Sequence, residues 1–226
     1  MKSTFKLQRL LGAGLISIQL CLPASAASLD DLFNAAKLGD AVEVTQLVRQ
    51  GMDVNSSDLN GNTLLILATR EEQPNVVTEL LKQRGLKLNA RNSAGDSALM
   101  LASLRGFTGI AQALLDAGAA FEHPGWNPLL YAAFEGRLAI VSMLLEKGAN
   151  PNVLAPNQTT PLMFAARNGH QDVVRALLKA GANIDWKNDQ NESAESWASK
   201  SRNTDIVELI QAERKARASK LHVEIN

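Results

Sequence analysis

Cysteine is almost absent from this chain: Cys21 is the only one in 226 residues. A lone thiol closes no internal disulfide, so packing alone must hold the fold together. Aromatic residues are scarce at 4%, against an apolar total of 46%. The apolar surplus is Leu, Ala, Val and Ile, which suits closely packed helices and argues against a β-sandwich. Net charge is missing as well, because 23 basic and 23 acidic residues cancel. With no clustered basic face, nucleic acid is not expected as a partner. The three histidines, His123, His170 and His222, lie far apart in the sequence. Phosphate-loop, dinucleotide-binding, zinc-protease and nucleophile-elbow motifs do not occur. These absences remove the usual catalytic constellations. The chain is expected not to be an enzyme, with no catalytic residue, cofactor or metal.

What is present begins with a distinctive amino terminus. Lys2, Lys6 and Arg9 make it positive, and Leu10 to Leu22 is apolar apart from Ser17 and Gln19. Ala24-Ser25-Ala26 supplies the small-x-small pattern of a cleavage site. Residues 1–26 therefore read as a secretory signal peptide. The apolar run of about 13 residues is short of the roughly 20 needed to span a bilayer, so no stable membrane anchor is expected. Leu20 precedes Cys21, where lipid attachment would need a small residue. Cleavage near Ala26 would leave a periplasmic or secreted chain with 20 basic and 23 acidic residues and no thiol.

The remainder is repetitive. Thr63-Leu64-Leu65-Ile66-Leu67-Ala68 matches Ser97-Ala98-Leu99-Met100-Leu101-Ala102. Asn127-Pro128-Leu129-Leu130-Tyr131-Ala132 matches Thr160-Pro161-Leu162-Met163-Phe164-Ala165, and weaker copies lie at Asp30–Ala35 and Ser193–Ala198. The matched alanines, Ala35, Ala68, Ala102, Ala132, Ala165 and Ala198, are spaced 33, 34, 30, 33 and 33 residues apart. Such a period marks stacked supersecondary units. The long spacing comes from one extra residue before Gly85, the short one from three missing between Glu122 and Trp126. In each unit a Ser, Thr or Asn is placed to cap a first helix. Pro128 and Pro161 occupy the first helical position, where a missing N–H costs nothing. Apolar pairs such as Ile140/Val141 with Leu144/Leu145 give a second helix. Gly51, Gly85, Gly118, Gly148 and Gly181 follow as left-handed caps.

The pattern resembles the ankyrin repeat family. The fifth unit carries Thr160-Pro161-Leu162, Ala165-Ala166, Gly169-His170, Val173-Val174, Leu177-Leu178 and Gly181-Ala182-Asn183. The fourth carries Pro128-Leu129, Ala132-Ala133, Gly136, Leu144-Leu145 and Gly148-Ala149-Asn150-Pro151-Asn152. The resemblance implies an all-α repeat solenoid of about six helix-turn-helix units with short β-hairpin-like fingers. It spans 27–212, with capping repeats at about 28–57 and 188–212. The charged tail 213–226 reads as a frayed helix end, a docking tail being the alternative. Two departures stand out. The family's helix-start His is replaced by Ile66, Met100, Leu130 and Met163, so apolar contact should stand in for polar bonding there. Glu72 occupies the turn-glycine position of the second unit.

The resemblance also implies a partner surface on the finger tips and the concave side of the first helices. By motif position the fingers expose Leu59, Asn60, Asn62, Arg91, Ser93, Asp96, Trp126, Leu154, Asn157, Thr159 and Lys187. The concave side adds Arg70, Glu71, Leu104, Arg105, Phe134, Glu135, Arg167 and Asn168. Trp126 and Phe134 beside Leu104 and Arg105 have the composition of a binding hot spot. Trp126 folding down over the shortened finger is an equal alternative. Trp186 is expected to pack on the last repeat, and Tyr131, Phe164 and Trp197 read as inter-repeat core. The expected role is a monomeric protein–protein interaction module in the periplasm. The alternatives are an immunity-type inhibitor of a toxin or enzyme, a glycan-binding envelope protein and a translocated effector. A scaffold does not by itself name its target.

Overall fold

The computed structural model describes residues 27–225, with side-chain surroundings through residue 219. The expected signal peptide lies outside the described residues. Twelve helices follow in antiparallel pairs: α1 Leu29–Leu38 with α2 Ala41–Arg49, α3 Leu64–Arg70 with α4 Pro74–Leu81, and α5 Ala98–Arg105 with α6 Thr108–Asp116. Then come α7 Pro128–Phe134 with α8 Leu138–Glu146, α9 Pro161–Asn168 with α10 Gln171–Lys179, and α11 Ala194–Lys200 with α12 Thr204–Ile225. First helices pack on first helices and second on second, so the six pairs form two parallel rows. This is an all-α repeat solenoid.

Each pair forms for local reasons. The first helices start at Ser28, Thr63, Ser97, Asn127, Thr160 and Ser193, whose side-chain oxygens each accept a hydrogen bond from the amide three residues on. Such a cap satisfies one of the four orphan amides of a helix start, worth about 1 kcal/mol. A helix of seven to ten residues is too short to persist alone, so packing must supply the rest. The six matched alanines are all buried on successive first helices. Their small side chains let neighbouring helices approach. Ile66, Met100, Leu130 and Met163, in place of the family's His, are buried apolar contacts as expected.

The turn between the two helices of a unit does two jobs. Gly39, Gly106, Gly136 and Gly169 adopt positive φ. The residue after the positive-φ turn position in the next unit, whether that position is glycine or Glu72 or Arg202, reaches back to the end of the preceding first helix. Gln73 donates to the Lys37 carbonyl at 3.0 Å, Arg137 to Leu104 at 3.3 Å and Asn203 to Ala166 and Arg167 at 2.9 and 3.0 Å. His170 Nε2 lies 3.0 Å from the Phe134 carbonyl. These side chains occupy the space that a Cβ on the previous unit's glycine would need. Glu72 keeps the turn by taking φ 54° without glycine. Its neighbour in the next unit is Phe107, which packs on the core and makes no such bond.

Two fingers carry an antiparallel bridge, Ser57 with Thr63 and Arg91 with Ser97. Asparagines tie successive fingers together: Asn55 accepts from the Lys87 amide at 2.7 Å, Asn89 from Ala120 at 2.8 Å and Asn152 from Asn183 at 2.7 Å. Residues 213–225 continue α12. Arg214 pairs with Glu195 and Asp185, and Arg217 donates to the Leu178 and Ala182 carbonyls, both at 2.9 Å. The guanidinium thus ties α12 to the carboxy-terminal end of α10 and the loop after it.

Two glycines separate these effects. Gly148, at φ 92°, has nothing within 4 Å of an added Cβ, whereas at Gly136 the Cβ would sit 2.5 Å from His170 Nδ1. Gly148→Ala should cost about 1–2 kcal/mol of backbone strain. Gly136→Ala should cost about 1–2 kcal/mol more, because the His170 bond is lost as well. Urea unfolding of both variants checks this, and equal costs would contradict the role of His170.

Candidate functional site

A continuous aromatic track runs along the first-helix face of the last three units. Trp126 closes the shortened finger and lies stacked between two helical residues. Its centroid is 5.1 Å from Tyr131 of α7 and 5.3 Å from Phe164 of α9, with interplanar angles of 23° and 26°. Phe164 meets Phe134 edge-on at 5.5 Å and Trp197 at 6.0 Å. Arg167 holds its guanidinium 5.2 Å from the Trp197 ring centroid. Offset stacks and edge contacts of this kind each add about 0.5–1.5 kcal/mol beyond area burial.

The Trp126 side chain folds down over the gap and stays 36% exposed. Phe134 and Leu104 are half-buried, which corrects their expected exposure, while Arg105 is exposed. Phe164 and Trp197 are core-like at 5% and 8% exposure, but Tyr131 is only half-buried and belongs to the track. The expected packing role thus holds for Phe164 and Trp197 and only in part for Tyr131, which sits next to the one finger that is three residues short.

Several expected contact residues are already engaged. Arg70 pairs with Glu71 at 3.0 Å and Glu135 with Arg137 at 3.6 Å. Asn168 donates to the Phe134 carbonyl at 2.7 Å. Asp96 accepts from the Tyr131 hydroxyl at 3.0 Å. Two finger residues expected at the surface are buried, Asn62 at 3% and Thr159 at 0% exposure. Asn62 accepts from Asn92 of the next finger at 2.9 Å, so it joins units. Leu59 and Arg91 are exposed as expected. Trp186 packs on the core and donates from Nε1 to the Gln158 carbonyl of the preceding finger at 2.8 Å.

The far end of the track is polar. Glu192 accepts from both Lys200 and the Trp197 indole, and these bonds hold its carboxyl below the usual range. With Arg167, Gln190 and Ser201 they line an open groove of about 360 Å³. Among the described residues, no three His, Cys, Asp or Glu side chains group as a metal site would require. None of the described helices is long and apolar enough to cross a membrane.

The fold defines a helical repeat protein with an aromatic track along its first-helix face. The chain belongs to the ankyrin repeat family. The family model for ankyrin repeats in three copies matches residues 85–155 and 149–220, and the single ankyrin repeat model matches 60–93. An ankyrin repeat protein of Rickettsia bellii is 29% identical over 153 residues, 62% of this chain and 43% of its own length. A glycerophosphocholine phosphodiesterase of Candida albicans is 31% identical over 122 residues, 51% of this chain but only 10% of that enzyme. The chain thus spans less than half of these relatives. Among solved structures, the ankyrin repeat protein EF0377 aligns with a TM-score of 0.74 at 27% identity, covering 82% of this chain and 98% of that one. The ankyrin domain of Bcl-3 aligns with a TM-score of 0.71 at 30% identity, covering 79% and 81%. Ankyrin repeat domains are generally protein-binding modules.

The Tyr131–Asp96 bond can be titrated directly, because the chain has one tyrosine. Burial pushes the Tyr131 phenol up to about 12, and the Asp96 carboxylate adds to the rise. The stabilisation is full below the ordinary tyrosine value of about 10 and is lost as pH rises through the folded value. Phenolate absorbance of the folded protein should therefore have its midpoint near 12. Asp96→Asn should lower that midpoint without restoring the ordinary one, since burial is the larger cause. A wild-type midpoint near 10 would show a solvated hydroxyl.

Proposed function

We propose that this chain is a non-catalytic, exported binding module that holds a partner protein against its first-helix face in the periplasm. The aromatic track centred on Trp126 is the observation that carries this reading. It offers apolar rings, one of them part-exposed, on a rigid row of helices with Arg105 and Arg167 nearby. Aromatic and arginine side chains dominate the energetics of protein interfaces. Rigidity matters because the stack orders these groups before binding, so few contacts must bear the ordering cost. Export is supported by Lys2, Lys6 and Arg9, the apolar run Leu10–Leu22 and Ala24-Ser25-Ala26. A non-catalytic role is supported by the engagement of the polar groups along this face in inter-repeat bonds. The relative that is an enzyme matches over a tenth of its length, which carries no activity here.

The partner is sought by co-purification from the exported fraction, followed by calorimetric titration of the purified pair. Trp126→Ala and Phe134→Ala should each weaken binding by about 1–3 kcal/mol. Thermal unfolding of the variants separates this from loss of the stack. Unchanged affinity in both folded variants would remove the track as the binding face.

A further inference from the structure

The charges around the aromatic track are not balanced. Residues 27–226 as a whole carry 20 basic and 23 acidic residues, a slight acidic excess. The carboxylates on this face are nonetheless largely committed. Glu71, Glu135 and Glu192 each pair with a cation of the same face, and Asp96 is bound by the Tyr131 hydroxyl. Among the described residues Arg91, Arg105 and Arg167 form no ion pair, and all three are exposed. Arg167 is braced over the Trp197 ring, which fixes its planar fork without using its hydrogen-bond donors. A guanidinium so placed is suited to a carboxylate, which it can grip with two parallel bonds.

From this we infer that the occupant of the face is an extended, acidic segment of the partner protein, with an apolar residue lying on the track between two carboxylates. The inference rests on the binding-module reading above. Spacing sets the register. Arg105 ends α5 and Arg167 lies near the end of α9, two places along the row of first helices. Packed helices lie ~8–10 Å apart, so the two cations are roughly 16–20 Å apart. An extended chain advances ~3.3 Å per residue, so about five or six residues bridge them. The part-exposed edge of Trp126 and the side of Phe134 fall between, where the apolar residue would sit. Opposed charges at the two ends would also orient the segment and speed encounter.

The test is a random peptide library selected on the full exported chain, with each enriched peptide re-measured on variants. The expected result is enrichment of acidic peptides carrying an apolar residue. Their binding should fall at least ~10-fold in Arg105→Glu/Arg167→Glu and weaken as salt screens the charges. Arg105→Lys/Arg167→Lys keeps the charge but loses the two-bond grip, so its binding should lie between wild type and the charge reversal, and unchanged thermal unfolding separates this loss from damage to the fold. Peptides that need Trp126 and Phe134 but are neutral or basic, or that survive charge reversal, would overturn the acidic segment and leave the face itself standing. If no selected peptide depends on Trp126 or Phe134, both readings fall.

Discussion

The contact between consecutive first helices is the constraint on which everything else depends. No single unit buries its own apolar surface: Leu65, Leu99, Leu129 and Leu162 are buried because the stacked units enclose them. Fully burying a side chain of this size contributes about 1.5–3 kcal/mol, and each unit contributes several. Stability in such a stack is roughly a sum of weak units and strong interfaces. The interfaces here have two components. An apolar seam of alanine, leucine and methionine supplies adhesion. A row of side chains reaching back to carbonyls, Gln73, Arg137, His170 and Asn203, supplies register.

The proposed binding face is a consequence of the same geometry. A finger shortened by three residues leaves space between Tyr131 and Phe164, and Trp126 fills it. The wedge links two repeats and leaves one edge of a large aromatic ring in contact with solvent. Packing and recognition therefore share a residue. That sharing makes the track rigid, and rigid aromatic groups lose little entropy on binding.

Much of this was legible in the chain itself. The alanine period located all six units, and the Ser, Thr and Asn caps located the starts of the first helices. The left-handed glycines and the apolar replacement of the helix-start His followed from local chemistry, which the sequence states directly. What was hidden depends on neighbours 30 or more residues away. Nothing in Gly136 alone tells that His170 needs its space, and nothing in Asn62 tells that Asn92 will bury it. Asp96 reads as a finger surface residue, and the Tyr131 hydroxyl that binds it lies 35 residues away. The carboxy-terminal charges read as solvated, but Arg217 donates to the Leu178 and Ala182 carbonyls beside the end of α10. Tyr131 reads as packing because a periodic column is usually packing, and the shortened finger that leaves it half-buried lies outside that column.

Hydroxyl-radical footprinting of the chain alone and with its co-purified partner tests the central claim most directly. The account predicts protection at Trp126, Phe134 and Leu104, on the first-helix face, with the exposed second-helix residues Val42 and Leu138 unchanged. Protection confined to Val42 and Leu138, with Trp126 as reactive as in the free protein, would contradict it.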